Sequence, residues 1–137
     1  MEQLTQWTDL AIEHWKSKGI KLQGGATPEK IRDIESILGF QFPADFTKLY
    51  LKVNGFADSE WNEGMFSLWP MEKIREEFHA NGDTHYIAFC DYLINSHTIG
   101  YHKSDGLIYK DYRMVEPIAN NFQEFIQLLN SNDDRLY

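Results

Sequence analysis

The chain has 137 residues, of which 42% are hydrophobic, and its 21 acidic against 13 basic side chains give a formal net charge of −8. This length and apolar content predict a single domain over residues 1–137 with its own core, and they exclude a disordered, charge-dominated chain. The negative charge argues against partners such as nucleic acid or an anionic membrane surface, because these are held mainly by lysine and arginine. The charge would speed encounter with a basic protein partner, but acidity that serves only solubility is the commoner reason for such a charge.

Three features of the sequence predict a cytoplasmic protein. Cys90 is the single cysteine, so no internal disulfide can form as it does in secreted scaffolds. The opening residues Met1 to Gln3 are not basic, and no apolar run of a signal peptide follows them. No apolar run approaches the roughly 18 residues that a membrane span needs.

Apolar residues recur at helical spacing in the first part of the chain and predict three helices, over residues 4–18, 28–38 and 43–53. Residues 23–26, which include two glycines, are predicted to form a flexible joint between the first two helices. The residues that start or end the helices are typical of helix ends: Gly19, Thr27, Pro28, Gly39, Pro43, Asn54 and Gly55. The apolar stripes expected to face the core are Leu4, Trp7, Ala11 and Trp15, then Ile31, Ile34, Ile37 and Leu38, then Phe46, Leu49, Tyr50 and Val53.

The middle of the chain predicts strands rich in aromatic and branched residues, at 65–69, 86–92 and 97–102. A short helix that starts at Pro70 separates the first two strands and ends in a turn at residues 81–83. These strands are the expected antiparallel sheet.

Asp105 and Gly106 give the strongest hairpin signal in the sequence. A two-residue turn at this point would place His102 opposite Tyr109, whereas a four-residue turn would shift the pairing. The sequence leaves both registers open.

The last part of the chain predicts a helix that begins at the N-cap Asn121, with Glu124 in the capping-box position. A polar tail, expected to be frayed, follows from Ser131. The order of three helices, a strand, a short helix, further strands and a final helix predicts an α+β fold, with helices packed on one face of an antiparallel sheet.

The spacing of histidine, cysteine and carboxylate residues predicts neither a metal centre nor an active site. His97 and His102 are five residues apart on one strand and therefore point to opposite faces. Cys90 lies in an apolar strand, where a thiol is usually inert. The sequence has none of the familiar metal, nucleophile or phosphate-loop motifs, so we expect no metal, no cofactor and no enzyme. The alternative is an enzyme with a site near His97 or Asp91.

An acidic segment around Trp61 is the clearest binding candidate. It contains no basic residue, and interfaces enrich tryptophan at their centres while acids pair with a basic partner. The alternative, that Trp61 folds back onto the core, is equally compatible with the sequence. The predicted partner-binding residues are Asp58, Glu60, Trp61 and Glu63, with Glu76 and Glu77 of the short helix as a second choice.

Several segments of the sequence resemble the SUKH superfamily, which includes yeast cell-wall synthesis regulators and many bacterial immunity proteins. They are IESILGFQFPADFTKLYLKVNGF at 34–56, FSLWPMEKI at 66–74, IAFCDYLINSHTIGY at 87–101 and IANNFQEFIQLL at 118–129. The likeness covers about residues 27–129, and Phe56 departs from it by standing where the family usually has a second glycine. The residues that match the family pattern are Leu38, Gly39, Phe42, Pro43, Asp45, Phe46, Asn54 and Gly55.

The resemblance implies an α+β domain without known catalytic residues or a cofactor. It further implies an immunity protein that binds and neutralises a bacterial toxin domain, often a nuclease or a nucleic-acid deaminase. An acidic protein suits the masking of a basic toxin surface, because it occupies the face that would otherwise hold phosphates. Two alternatives stay open: a regulatory scaffold with several weak partners, as the yeast relatives suggest, and the enzyme considered above.

Overall fold

The fold is given by a computed structural model that describes residues 6–81, 84–94, 96–111 and 116–137. The α-helices of these ranges, α1 to α5, span Trp7–Ser17, Pro28–Leu38, Ala44–Tyr50, Met71–Asn81 and Phe122–Asn130, and a short 3₁₀ helix spans Asp134–Leu136. The strands, β1 to β7, span Leu22–Gly24, Val53–Phe56, Phe66–Leu68, Tyr86–Tyr92, His97–His102, Ile108–Lys110 and Pro117–Ala119. Three residues used in the predictions, Leu4, Gly82 and Asp83, lie outside the described ranges.

Helix caps lie where the sequence predicts them. The hydroxyl of Thr27 accepts a backbone N–H from the first turn of α2 at 3.1 Å, and Gly39 ends that helix with φ +69°. At the start of α5 the side chain of Asn121 accepts the N–H of Glu124 at 2.8 Å. The carboxylate of Glu124 in turn accepts the N–H of Asn120 at 2.8 Å. The predicted cap of this helix is therefore confirmed.

Two helix predictions are wrong in detail. Ile37 was expected in the core but is exposed, because at 100° per residue it lies roughly 80° around α2 from the stripe that contains Ile34 and Leu38. Helix α3 ends at Tyr50, since Val53–Phe56 forms strand β2 and does not continue the helix.

Strands β1 and β2 form a small antiparallel sheet that the sequence did not indicate. Leu22 lies opposite Phe56, and the N–H of Ala57 extends the pairing by donating to the carbonyl of Lys21 at 2.9 Å. Gln23 and Gly24, the first half of the predicted flexible joint, are thus part of a strand. Phe56 packs edge-on against Trp15 of α1, with ring centroids 5.2 Å apart, and this long-range contact selects the strand over a longer helix.

The larger sheet has the strand order β3-β4-β5-β6-β7, and all neighbouring strands in it are antiparallel. Its central strands β4 and β5 have the predicted limits. Of the two hairpin registers, the four-residue turn is the one observed: the N–H of His102 donates to the carbonyl of Leu107 at 3.1 Å, and Gly100 lies opposite Tyr109. Strand β7 was not predicted.

Stacked aromatic rings join the helices to the larger sheet. Phe46 of α3 stacks on Phe42 at 4.0 Å and on Tyr50 at 4.2 Å between ring centroids. Phe89 of β4 and Phe122 of α5 meet the same ring edge-on, at 6.2 and 4.9 Å. The predicted α+β fold is confirmed. None of the helices in the described ranges is long and apolar enough to span a lipid bilayer.

Candidate protein-binding site

Residues 57–65, here called the acidic loop, connect β2 to β3 at the end of the sheet where β4 turns into β5. Its first half is fixed to Lys21, whose carbonyl accepts the N–H of Ala57 and whose own N–H donates to the carboxylate of Glu60 at 2.8 Å. Glu60 therefore has a structural role in the loop, which the sequence did not indicate.

Asn62 organises the second half of the acidic loop. Its side-chain carbonyl accepts the N–H of Gly64 at 3.0 Å and that of Phe66 at 2.9 Å. Its backbone N–H donates to the carbonyl of Phe66 at 2.9 Å, and its carbonyl accepts the N–H of Met65 at 3.0 Å. These bonds give the loop a defined shape without regular secondary structure. A loop that is already ordered loses less conformational entropy when it binds a partner.

The C-terminal residues 131–137 pack next to the acidic loop. Leu136 is fully buried, and the ring of Tyr137 lies 5.2 Å from the ring of Phe66 and 5.2 Å from that of Tyr92. The predicted frayed tail is wrong, because these two terminal side chains complete an aromatic cluster at this end of the sheet.

His97 of β5 belongs to the same cluster. Its ring stacks on Tyr92 at 5.0 Å, and its Nε2 donates to the carbonyl of Leu136 at 2.9 Å. Burial is the largest influence and lowers the pKa of His97, Lys110 lowers it further, and Asp111 acts in the opposite direction. The neutral imidazole thus ties the C-terminal segment to the sheet.

The acidic loop exposes its predicted binding residues to different degrees. Asp58 is exposed and forms no ion pair with the described residues. The carboxylate of Glu63 lies 3.4 Å from the ammonium of Lys18, and an exposed pair of this kind contributes little to stability. Trp61 is half-buried, and in the described part of the chain nothing accepts a hydrogen bond from its indole N–H. Its position is therefore intermediate between the two predicted alternatives.

Glu76 and Glu77, the second choice from the sequence, lie on α4, which follows the acidic loop and β3 along the chain. Glu76 is exposed and Glu77 is half-buried. No hydrogen bond or ion pair within the described ranges joins either glutamate to the loop. The structure does not bring the two predicted groups into contact.

Three exposed apolar residues occur at this end of the sheet: Met65, the last residue of the acidic loop, and Leu93 and Ile94, which follow β4. The N–H of Leu93 donates to the carbonyl of Met65 at 2.9 Å, so the turn between β4 and β5 is fixed to the loop. None of these residues is among the predicted binding residues. The one available signal was a pair of large apolar residues between two predicted strands, where turn-forming residues are usual.

Asp91 and His97, the residues of the alternative enzyme site, do not come together. They hold adjacent positions in the pairing of β4 with β5 and therefore point to opposite faces of the sheet. Asp91 is 3% exposed, accepts the indole N–H of Trp69 at 3.1 Å and lies 3.8 Å from the ammonium of Lys73. Burial raises the pKa of the Cys90 thiol. Among the described side chains, no three His, Cys, Asp or Glu residues form a group that could hold a metal ion.

A family model described as the SMI1 / KNR4 family (SUKH-1) matches residues 25–128. The chain belongs to this family. A search of curated proteins found no match. The SUKH match begins just before α2 and reaches into α5, so it includes both the aromatic core and the acidic loop. Members of the family have immunity or regulatory roles.

The residues that carry the SUKH pattern have structural functions in this chain. Asp45, at the start of α3, accepts the N–H of Gln123 at 2.9 Å and so caps α5. The side-chain carbonyl of the buried Asn54 accepts the N–H of Met71 at 2.9 Å at the start of α4. Such bonds satisfy helix N–H groups that would otherwise lack a partner. The residues that identify the family are therefore residues that stabilise the fold, and they do not themselves indicate a binding surface.

Proposed function

We propose that this SUKH-family protein is an immunity protein that binds a toxin domain with a basic surface and masks it through the acidic loop. One observation carries the proposal: a single loop with an extensive set of hydrogen bonds contains both Asp58, which has no ion pair among the described residues, and the half-buried Trp61. A partly exposed aromatic anchor beside acids without counter-ions is the arrangement expected of an interface centre for a basic protein.

The charge of the whole chain supports the same kind of partner. With a net charge of −8, the protein attracts basic surfaces over several ångströms and raises the rate of encounter with them. Nucleases and nucleic-acid deaminases hold phosphates with lysine and arginine. An acidic protein seated on those side chains excludes the nucleic acid, so neutralisation follows from occupancy alone.

We further propose that the protein acts by masking and not by catalysis. Asp91 and His97 point to opposite faces of the sheet, and the Cys90 thiol is buried with a raised pKa. Each of these groups has a structural partner or is closed off from solvent, which supports a binding function over an enzymatic one.

Affinity capture of the tagged protein from its own cells tests the proposal. The bound fraction is washed at low and then at high salt, and the retained proteins are identified by mass spectrometry. We expect one stoichiometric, basic partner that high salt releases. Several weak partners in substoichiometric amounts would favour a regulatory scaffold, and retention of nothing while toxin domains are expressed would contradict the proposal.

Two double variants with the same charge change then locate the contact. Asp58→Lys with Trp61→Ala alters the acidic loop, whereas Glu13→Lys with Leu10→Ala alters exposed positions on α1. We expect the first to weaken binding by about 2 kcal/mol or more, as loss of an interface centre does, and the second to change it little. Glu60 is left unchanged because its carboxylate holds the loop to Lys21. Equal effects of the two variants would remove the acidic loop from the interface.

A further inference from the structure

We propose that the binding surface includes an apolar tip, formed by Met65, Leu93 and Ile94, and that the partner receives this tip in an apolar cavity rimmed by lysine and arginine. The inference rests on the proposed function, because it describes the partner of the same loop. It names the residues that supply apolar contact and the shape that the partner must have.

The three side chains of the apolar tip are exposed together. Ile94 is 67% exposed, Leu93 44% and Met65 38%. The hydrogen bond from the N–H of Leu93 to the carbonyl of Met65 holds the turn and the acidic loop side by side. Isolated exposed apolar residues are ordinary, but neighbouring ones on adjoining segments form a patch, and such patches mark interaction sites.

The backbone of the apolar tip adopts conformations that its residues disfavour. Leu93, Ile94 and Met65 have φ of +52°, +55° and +70°. Glycine and asparagine adopt such angles most easily, whereas a β-branched isoleucine with positive φ is a genuine outlier. The N–H of Ser96 nevertheless donates to the carbonyl of Tyr92 at 2.8 Å. In the free protein this strained backbone also leaves Ile94 exposed to water. Both features are unfavourable for the free protein, and burial of Ile94 by a partner would offset them.

The acidic residues of the loop that contains Met65 indicate which kind of partner covers the apolar tip. Asp58, Glu60 and Glu63 lie in the same acidic loop as Met65, and Lys18 pairs with only one of them. A second copy of the chain would bring two acidic loops together and be repelled. A basic folded protein with an apolar cavity satisfies both features, because its cations meet the acids while the cavity excludes water from the tip.

Ile94→Asn is the sharpest variant for the test. Asparagine tolerates positive φ better than isoleucine does, so we expect the urea midpoint of unfolding to stay the same or to rise. The same substitution removes the most exposed apolar side chain of the tip, so binding should fall. Leu10→Asn on α1 is the matched control, because it also removes an exposed large apolar side chain.

The probe is a phage-displayed library of a small three-helix domain, with one surface randomised among lysine, arginine, serine, aliphatic and aromatic residues. Binders are selected on the wild-type protein, and their affinities for the variants are measured by surface plasmon resonance. We expect selected domains to combine lysine or arginine with large apolar residues. Their affinity should fall at least tenfold with Ile94→Asn and stay within twofold with Leu10→Asn.

Other outcomes separate the inference from the proposed function. Binders that lose affinity with Asp58→Lys but not with Ile94→Asn overturn the apolar tip and leave the acidic loop as the contact. Binders that tolerate both substitutions, or that lack lysine and arginine, contradict both. Sedimentation equilibrium completes the test: a wild-type dimer that Ile94→Asn dissociates would show that the tip binds a second copy, and it would overturn the inference.

Discussion

The segment of residues 34–56 and the acidic loop of residues 57–65 follow one another along the chain but use their side chains in opposite ways. In the first segment the rings of Phe42, Phe46 and Tyr50 stack in the core, and the buried Asn54 caps a neighbouring helix. In the acidic loop, hydrogen bonds fix the backbone while acids and an indole remain partly open to solvent.

The difference separates residues that set the stability of the fold from residues that can change without altering it. Changes in the first segment alter buried contacts and therefore the stability of the whole domain. Changes at exposed positions of the loop alter charge and shape at the surface and leave the core as it is. Under the proposed function, the surface that meets the partner can thus change while the fold is kept.

The largest expected effect lies in the core. Phe46→Ala removes the central ring of the aromatic stack, and we expect the free energy of unfolding to fall by about 3–5 kcal/mol in urea titrations. Trp61→Ala in the acidic loop removes a side chain that is only half-buried and not part of the stack, so it should cost less, about 2 kcal/mol. An equal loss in the two variants would contradict the contrast between the segments.

The next effect concerns Gly55, which follows the cap residue Asn54. Its φ is +75°, and a side chain there would lie within 2.6 Å of the backbone of Trp69. We expect Gly55→Ala to destabilise the protein by about 3 kcal/mol or more, because backbone strain and a clash with main chain add.

Gly19→Ala is the control for this substitution. Gly19 has a similar φ of +78°, but a side chain there would meet nothing within 4 Å. It should cost only the strain of the left-handed conformation, about 1–2 kcal/mol. If both variants unfold at the same urea concentration, the close approach to Trp69 contributes nothing.

A smaller effect is expected at Gly64 within the acidic loop. A side chain there would lie 2.5 Å from the hydroxyl of Tyr137 and 2.6 Å from the side-chain oxygen of Asn132. Both are far ends of side chains that can turn away, so Gly64→Ala should cost about 1 kcal/mol or less. Hydrogen exchange should show faster opening of residues 131–137 with little change in the core strands. A loss as large as that of Gly55→Ala would show that the loop is as rigid as the core.

The smallest effect is a pH dependence at His97. Because burial lowers its pKa in the folded chain, the unfolded chain binds the proton more readily below about pH 6.5. The contribution of His97 to the free energy of unfolding is therefore fully present above that pH. It decreases as the pH falls toward the lowered pKa of the folded state. Urea titrations at pH 7.5 and 5.5 should show a larger difference for the wild type than for His97→Gln. The carboxyl groups with lowered pKa values, such as Glu72, titrate at lower pH and do not enter this window.

Elements with strong local signals could be predicted from the sequence. Helix α2 has a proline in its first turn and a glycine after its end, and the limits of β4 and β5 follow from their aromatic and branched residues. The small sheet of β1 and β2 could not be predicted, because glycines in a short polar segment are equally typical of a joint and of a strand that a distant segment pairs with. Helix α3 was predicted to reach Val53 because that residue continues the helical spacing of the apolar stripe, although in the structure it begins strand β2.

The candidate site divides in the same way. The sequence determined its chemistry: acids without a nearby base around Trp61, in a chain of net charge −8, and a family pattern that the match over residues 25–128 confirms. Only the tertiary structure decided that the carboxylate of Glu60 binds the N–H of Lys21 and that the N–H of Leu93 binds the carbonyl of Met65. Charge and helical or strand periodicity are properties of neighbours along the chain, whereas a surface is assembled from segments that meet only when the sheet pairs and the core packs.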